Sequence, residues 1–124
     1  MITELTMQDM LNMAHTDDDC ATIVMFYGST CGPCKATMPH YEACSDFYES
    51  KNASIKFFRI NAWEPEEQKQ YCTDTWGVTG VPSFKSFYKN QFIIEKIGGG
   101  DEPAMREFVH NIVDEVFKRF GEKI

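Results

Sequence analysis

The sequence predicts an α/β fold, and three observations support this prediction. The continuous apolar run Ala21–Tyr27 is typical of a central strand that is buried on both faces. A second strand, Ile55–Asn61, follows a long segment in which apolar residues have helical spacing. Two further strands, Ser83–Tyr88 and Phe92 to Ile97, flank the polar residues Lys89-Asn90-Gln91 and predict an antiparallel hairpin. Strands that alternate with helices are typical of this fold class.

The segments before the central strand are predicted as one short strand and one helix. Ile2–Leu5 predicts an edge strand, and residues 7–14 predict a helix. The start of this helix, Thr6-Met7-Gln8-Asp9, is similar to a capping box with aspartate in place of glutamate. Asp17-Asp18-Asp19 is polar and predicts a loop. Since open α/β sheets place their active sites at the carboxyl ends of strands, the residues after Tyr27 are where we expect chemistry.

Three helices are predicted after the central strand. The inner face of the first carries Cys34, Met38, Tyr41, Cys44 and Tyr48 at three- or four-residue steps, and Pro39 is expected to bend its axis. Pro65-Glu66-Glu67 predicts a second helix with proline at its first position, ending before Gly77. The last helix is amphipathic. Its apolar residues are Met105, Phe108, Val109, Ile112, Val113, Val116, Phe117 and Phe120.

The motif Cys31-Gly32-Pro33-Cys34 lies between the central strand and the next helix. At the mouth of the helix, unpaired backbone N–H groups and the positive end of the helix dipole stabilise a thiolate. Cys31 is therefore predicted to be the attacking group. Cys34, one turn further along and shielded, would then resolve the mixed disulfide. The plain alternative is two unreactive cysteines in a turn.

The wider pattern resembles the thioredoxin family. Phe26 to Lys35 is similar to the active-site strand and loop of that family, and Pro39 stands where the family kinks its helix. Trp76 to Ser83 resembles the second signature, which contains a cis-proline that faces the cysteines. The resemblance runs from about residue 1 to residue 120. It implies a thioredoxin-like α/β fold with a central mixed β-sheet flanked by helices on both faces, in a single domain over residues 1–124.

The resemblance also implies a function. It implies a thiol–disulfide oxidoreductase that reduces protein disulfides through the Cys31/Cys34 dithiol and a mixed-disulfide intermediate. Disulfide-containing proteins would be the substrates, and a thioredoxin reductase or glutathione would supply the electrons, because the chain has no cofactor-binding motif. The residues expected to contact substrate are Thr30, Gly32, Pro33, Val81, Pro82 and Gly98. The run Gly98-Gly99-Gly100 predicts a flexible connection to the last helix.

Three residues depart from the family pattern. Six residues before Cys31 the family commonly has a buried aspartate that assists proton transfer, and this chain has Met25. Without that base, attack by Cys34 is expected to be slow near neutral pH. Tyr27 and Thr30 each replace a family tryptophan, so a smaller apolar surface surrounds the nucleophile.

Other interpretations of the cysteines remain open. The pair would also suit a disulfide isomerase or oxidant, and the fold would also suit a binding subunit that does not need the thiols. With His40 and Cys44 the pair approaches the ligand order of a zinc knuckle, but Cys31 and Cys34 would have to turn toward the helix body to form a tetrahedral site. We therefore expect no metal. Cys44 and Cys72 fall on apolar helix faces and are expected to be buried.

Composition limits the classes of function. The 12 basic and 19 acidic residues give a net charge of −7 without a basic cluster, which argues against nucleic-acid binding. The amino-terminal residues do not form a secretory signal, and no span reaches transmembrane length. Five cysteines, one pair and three singletons, suit a reducing compartment. We therefore expect a cytoplasmic monomer.

Overall fold

A computed structural model describes residues 1–13 and 19–124 of the chain. Within this part the chain forms five strands and four helices. The strands are β1 (Ile2–Leu5), β2 (Ala21–Tyr27), β3 (Ile55–Asn61), β4 (Ser83–Tyr88) and β5 (Gln91–Ile97). The helices are α1 (Met7–Met13), α2 (Gly32–Ser50), α3 (Glu66–Trp76) and α4 (Glu102–Phe120).

The five strands form one mixed sheet in the order β1-β3-β2-β4-β5. Strands β1, β3 and β2 are parallel, whereas β4 runs antiparallel to β2 and β5 runs antiparallel to β4. The apolar strand β2 lies at the centre and pairs on both sides along most of its length, which explains why nearly all of its side chains are buried. The predicted mixed sheet and the predicted edge position of β1 are both confirmed.

Helices cover both faces of the sheet, as predicted. On one face, α2 and α4 pack over alternate residues of β2, including Ile23 and Met25, in the larger of two buried clusters. On the other face, α1 and α3 contribute Met10 and Cys72 to a smaller cluster that contains Phe26. Successive residues of β2 point to opposite faces, so a continuous apolar strand feeds both clusters.

Tyr41 fixes α2 on the sheet. Its ring is fully buried and lies edge-on to the rings of Phe57 and Phe84. Its hydroxyl donates a 2.8 Å hydrogen bond to the carbonyl oxygen of Phe58. A buried hydroxyl must be hydrogen-bonded to offset its desolvation, and here the acceptor belongs to β3. The helix that carries Cys34 at its start is therefore held in register with the sheet.

The predicted start of α1 and the predicted end of α3 are correct, whereas the predicted start of α3 needs correction. Thr6 and Asp9 form the predicted capping box, since the Asp9 amide donates to Thr6 Oγ1 at 3.1 Å and the Thr6 amide to Asp9 Oδ2 at 2.8 Å. Pro65 was predicted to be the first residue of α3, but it is the N-cap residue that precedes the helix. A left-handed Gly77 ends α3, as expected. The end of the first predicted helix and most of the Asp17-Asp18-Asp19 loop lie outside the described residues.

The hairpin and the last helix differ from prediction in detail. The turn consists of Lys89 and Asn90 alone, both with positive φ, and Gln91 already belongs to β5. Two-residue turns of this hand match the twist of the strands that they join, which explains the tighter connection. In α4 most of the predicted apolar face is buried, but Val113 and Phe120 are half-buried and Phe117 is 53% exposed.

Candidate active site

Cys31 and Cys34 lie at the carboxyl end of the central strand, where α2 begins. The Cys31 amide donates to the Gly28 carbonyl oxygen at 3.3 Å, which forms the turn after β2. Cys31 caps the helix, and the Cys34 amide donates to its sulfur at 3.1 Å. The two residues form a disulfide with their Cα atoms 5.2 Å apart, and both are almost fully buried. The sequence therefore places a reversible redox pair on a helix N-terminus.

A cis-proline faces this pair. The Val81–Pro82 peptide bond is cis, as the family resemblance implies. The Val81 carbonyl oxygen lies 3.8 Å from Cys31 Sγ. The Gly98 amide donates to the Pro82 carbonyl oxygen at 2.9 Å, which joins the end of β5 to the same place. Three segments far apart in sequence thus meet beside Cys31.

The structure assigns different exposures to the residues predicted to contact substrate. Thr30, Gly32 and Pro33 are exposed around the cysteines. Val81 and Gly98 are half-buried, and Pro82 is buried with its carbonyl group engaged. The accessible part of this set is thus the cysteine loop and the edges of the Val81 and Gly98 segments.

Thr37 belongs to the same region and was missed by the sequence analysis. Its hydroxyl accepts a 3.3 Å hydrogen bond from the Gly100 amide. A Cβ at Gly99 would overlap Thr37 Oγ1, so only glycine permits this approach. The glycine run therefore packs closely against α2, where the sequence analysis expected only a flexible connection. The run itself was the available signal, because several adjacent glycines also indicate close backbone contact.

Position 25 carries no charge in this site. Met25 is fully buried in the same cluster as Cys31 and Cys34. Its neighbour on β3 in the sheet register is Arg59, whose guanidinium binds Glu4 with Nε 2.6 Å from Oε1. The Tyr27 hydroxyl donates to Glu4 at 2.8 Å. Burial and this acceptor together raise the pKa of Tyr27 to about 12. Glu4, which is exposed, therefore engages both nearby polar groups.

The two fully buried free cysteines are held as neutral thiols. Cys44 and Cys72 are both inaccessible to solvent. Burial raises the pKa of Cys44 to about 12 and that of Cys72 to about 11. Since the thiolate is the reactive form, neither residue competes with Cys31 for disulfides near neutral pH.

Because folding raises the pKa of Cys44, the free energy of unfolding varies with pH in the alkaline range. The folded state holds the thiol proton more tightly than the unfolded chain, whose cysteine pKa is about 9.0. This contribution is complete below the unfolded pKa and is lost as the pH rises toward the folded value. We expect the free energy of unfolding, measured in urea, to fall as the pH rises from about 9 toward about 12. The fall should be smaller in Cys44→Ala; an identical pH dependence in that variant would contradict this assignment.

Metal-binding clusters and membrane-spanning helices are both absent from the described residues. Within residues 1–13 and 19–124, no group of three or more His, Cys, Asp and Glu side chains is arranged to hold a metal ion. His40 is half-buried beside Thr37 and Gly99 in an open pocket. None of the described helices is both long and apolar enough to cross a bilayer.

Comparison with known proteins shows the family to which the chain is similar. The thioredoxin family model matches residues 3–111. Thioredoxin 1 of Plasmodium falciparum is 31% identical over 87 residues, which cover 70% of this chain and 75% of that protein. Protein disulfide-isomerase of Gallus gallus is 31% identical over 104 residues, which cover 80% of this chain and only 18% of the isomerase.

Solved structures give the same answer for the fold. Thioredoxin f from spinach chloroplast superposes with a TM-score of 0.73 at 22% identity, covering 89% of this chain and 92% of that one. The thioredoxin of Malassezia sympodialis gives a TM-score of 0.70 at 21% identity, with coverages of 90% and 91%. These likenesses confirm the predicted architecture.

Proposed function

The chain belongs to the thioredoxin family and is a thiol–disulfide oxidoreductase, and on this premise we propose that Cys31 is the nucleophile and Cys34 the resolving cysteine. The observation that carries the assignment is the 3.1 Å hydrogen bond from the Cys34 amide to Cys31 Sγ at the first turn of α2. An amide donor and a helix N-terminus favour negative charge on that sulfur. Cys34 contributes its amide to this hydrogen bond, so the bond stabilises charge on Cys31 Sγ and not on Cys34 Sγ.

The reaction follows as two exchanges. The Cys31 thiolate attacks one sulfur of a substrate disulfide, forms a mixed disulfide and releases the other substrate sulfur as a thiolate. The Cys34 thiolate then attacks Cys31 Sγ, closes the Cys31–Cys34 disulfide and releases the second substrate thiolate. The substrate gains two electrons and the protein loses two. The bond that closes is the disulfide observed between the two residues.

Substrate binding is proposed along the segments that meet beside Cys31. Thr30, Gly32 and Pro33 present an open rim, and Gly32 leaves room for a bulky partner. Val81 supports an extended substrate segment through its backbone, as in strand addition. Pro82 and Gly98 shape the same wall through their mutual hydrogen bond.

The electron source and setting follow from the same proposal. Residues 1–124 act as one thioredoxin-like domain that binds disulfide-containing proteins, works as a cytoplasmic monomer and binds neither nucleic acid nor membrane. A thioredoxin reductase or glutathione recharges the disulfide after each turnover. The net charge of −7 supports the lack of nucleic-acid binding, and the lack of a cofactor motif supports an external electron source.

The direction of transfer is tested by the reduction potential of the pair. The protein is equilibrated against dithiothreitol or glutathione buffers and its thiols are counted. We expect a value near that of thioredoxin, about −270 mV, as suits a reductase. A value of about −120 mV would favour an oxidant or isomerase. The likeness to part of protein disulfide-isomerase is the observation that favours this alternative. Absence of a reversible two-electron step would leave only the binding subunit.

A further inference from the structure

Trp63 lies against the turn that presents Cys31. It belongs to the connection between β3 and α3, and its side chain is 40% exposed. The indole packs on Gly28 so closely that three of its carbons, Cδ2, Cε2 and Cε3, lie within 2.6 Å of where a Cβ would stand. Because these atoms surround the ring fusion, the indole rests on Gly28 by its face. Part of the ring therefore remains open to solvent.

Backbone hydrogen bonds hold Trp63 in this position. The Trp63 amide and the Glu64 amide both donate to Asn61 Oδ1, at 2.9 Å and 3.1 Å. The Ala62 amide donates to the Tyr27 carbonyl oxygen at 2.7 Å, which ties the connection to the end of β2. An exposed aromatic side chain that is already fixed costs little conformational entropy when a partner binds it.

Gly28 couples this aromatic surface to the nucleophile. Its carbonyl oxygen accepts the Cys31 amide, so the residue beneath the indole also forms the turn that ends in Cys31. A polypeptide whose disulfide reaches Cys31 must pass over this turn or beside it. At Thr30, the residue next to Cys31, the chain offers a small polar side chain to such a partner. Trp63 offers an exposed apolar surface against the same turn.

We propose that Trp63 is a specificity-determining residue that contacts the polypeptide flanking a substrate disulfide and so favours protein disulfides over small ones. This inference rests on the proposed function, because it concerns the substrate of the same cysteine pair. Aromatic side chains on a rigid support are the usual centres of binding energy in protein contacts. A small disulfide reaches Cys31 without covering the indole, so it gains nothing from Trp63.

The test compares two substrates with the reduced protein. Second-order rate constants are measured for insulin, as a protein disulfide, and for 5,5′-dithiobis(2-nitrobenzoic acid), as a small disulfide. Trp63→Ala should lower the ratio of the insulin constant to the small-disulfide constant by about tenfold. Trp63→Tyr should restore most of it. Since an apolar contact is not screened, this tenfold difference between the variant and the unaltered protein should change little with ionic strength.

Two further variants separate contact from structural damage. Gly28→Ala places a Cβ where the indole now lies, so it must displace Trp63 and lower the same ratio while keeping the ring. Phe117→Ala removes another exposed aromatic, from the last turn of α4, and should leave both constants unchanged. Thermal unfolding and the reduction potential of each variant show whether the fold and the pair are intact.

The outcomes are distinguishable. Equal losses for both disulfides in Trp63→Ala would overturn the inference and make Trp63 a support for the cysteine turn. No loss for either would also overturn it. If the unaltered protein reduced neither substrate, the proposed function itself would fail, whatever the variants did.

Discussion

Cys31→Ser is expected to abolish reduction of protein disulfides, lowering the rate by at least roughly a thousandfold. A serine hydroxyl at the helix N-terminus stays protonated near neutral pH and cannot attack a disulfide sulfur. Cys34→Ser should instead permit the first exchange and stop at the mixed disulfide. The substrate then stays bound to Cys31, because no thiolate is left within the helix to release it.

The two variants are distinguished by mass spectrometry of the protein after mixing with a disulfide substrate. Cys34→Ser should gain the mass of the substrate fragment and lose it on treatment with dithiothreitol, whereas Cys31→Ser should gain nothing. Cys20→Ser is the matched control, since it removes a cysteine that lies before β2 and outside the pair. Trapping by Cys31→Ser and none by Cys34→Ser would reverse the assigned roles.

Met25→Asp is expected to lower the free energy of unfolding and to accelerate the resolving step. Met25 is fully buried in the same cluster as the cysteines, so a carboxylate there must give up its hydration, and its register neighbour Arg59 is already paired with Glu4. We expect a loss of about 3 kcal/mol in the free energy of unfolding at neutral pH. The same carboxylate shares a buried cluster with Cys34 and should accept its proton. The resolving step should accelerate by about tenfold or more.

The pH dependence of this variant has a definite sign. Burial raises the pKa of the introduced carboxyl above its unfolded value of about 3.9. The folded state then binds the proton more tightly, so the loss of stability is small in acid and grows as the pH rises above that value. Urea unfolding at about pH 4 and about pH 7 measures the difference.

Met25→Asn is the matched control for the introduced base. It has the size and polarity of the aspartate variant but cannot accept the proton of Cys34. This variant should therefore lose stability at every pH, and its resolving step should be no faster than that of the unaltered protein. The rate of that step is measured by stopped flow as release of the second substrate thiol. If the aspartate variant also showed no gain, the missing base would not limit the reaction.

Local patterns predicted most of the framework because each depends on neighbouring residues. The bounds of β2 follow directly from its apolar run, and the end of α3 follows from a glycine that alone adopts a left-handed cap without strain. The cysteine motif located the redox pair for the same reason. The cis bond before Pro82 came only from the family resemblance, since the sequence alone would favour trans.

Contacts between distant segments could not be predicted in this way. The turn of the hairpin was misplaced because Lys89 and Asn90 adopt positive φ without a glycine to signal it. The position of Trp63 could not be predicted from its neighbours, because its contact with Gly28 joins segments 35 positions apart. The fit of Gly99 on Thr37 has the same origin.

The amide of Cys34 that points at Cys31 Sγ also links folding to electron transfer through a thermodynamic cycle. The difference in folding stability between the oxidised and the reduced protein equals the free energy that separates the potentials of the folded and the unfolded pair. Each 30 mV between those potentials corresponds to about 1.4 kcal/mol of stability. A hydrogen bond that favours the thiolate in the folded protein therefore raises the folded potential and narrows the stability advantage of the oxidised form. Denaturant unfolding of the two forms thus reports how far folding shifts the reduction potential of the pair, without any electrode or redox buffer.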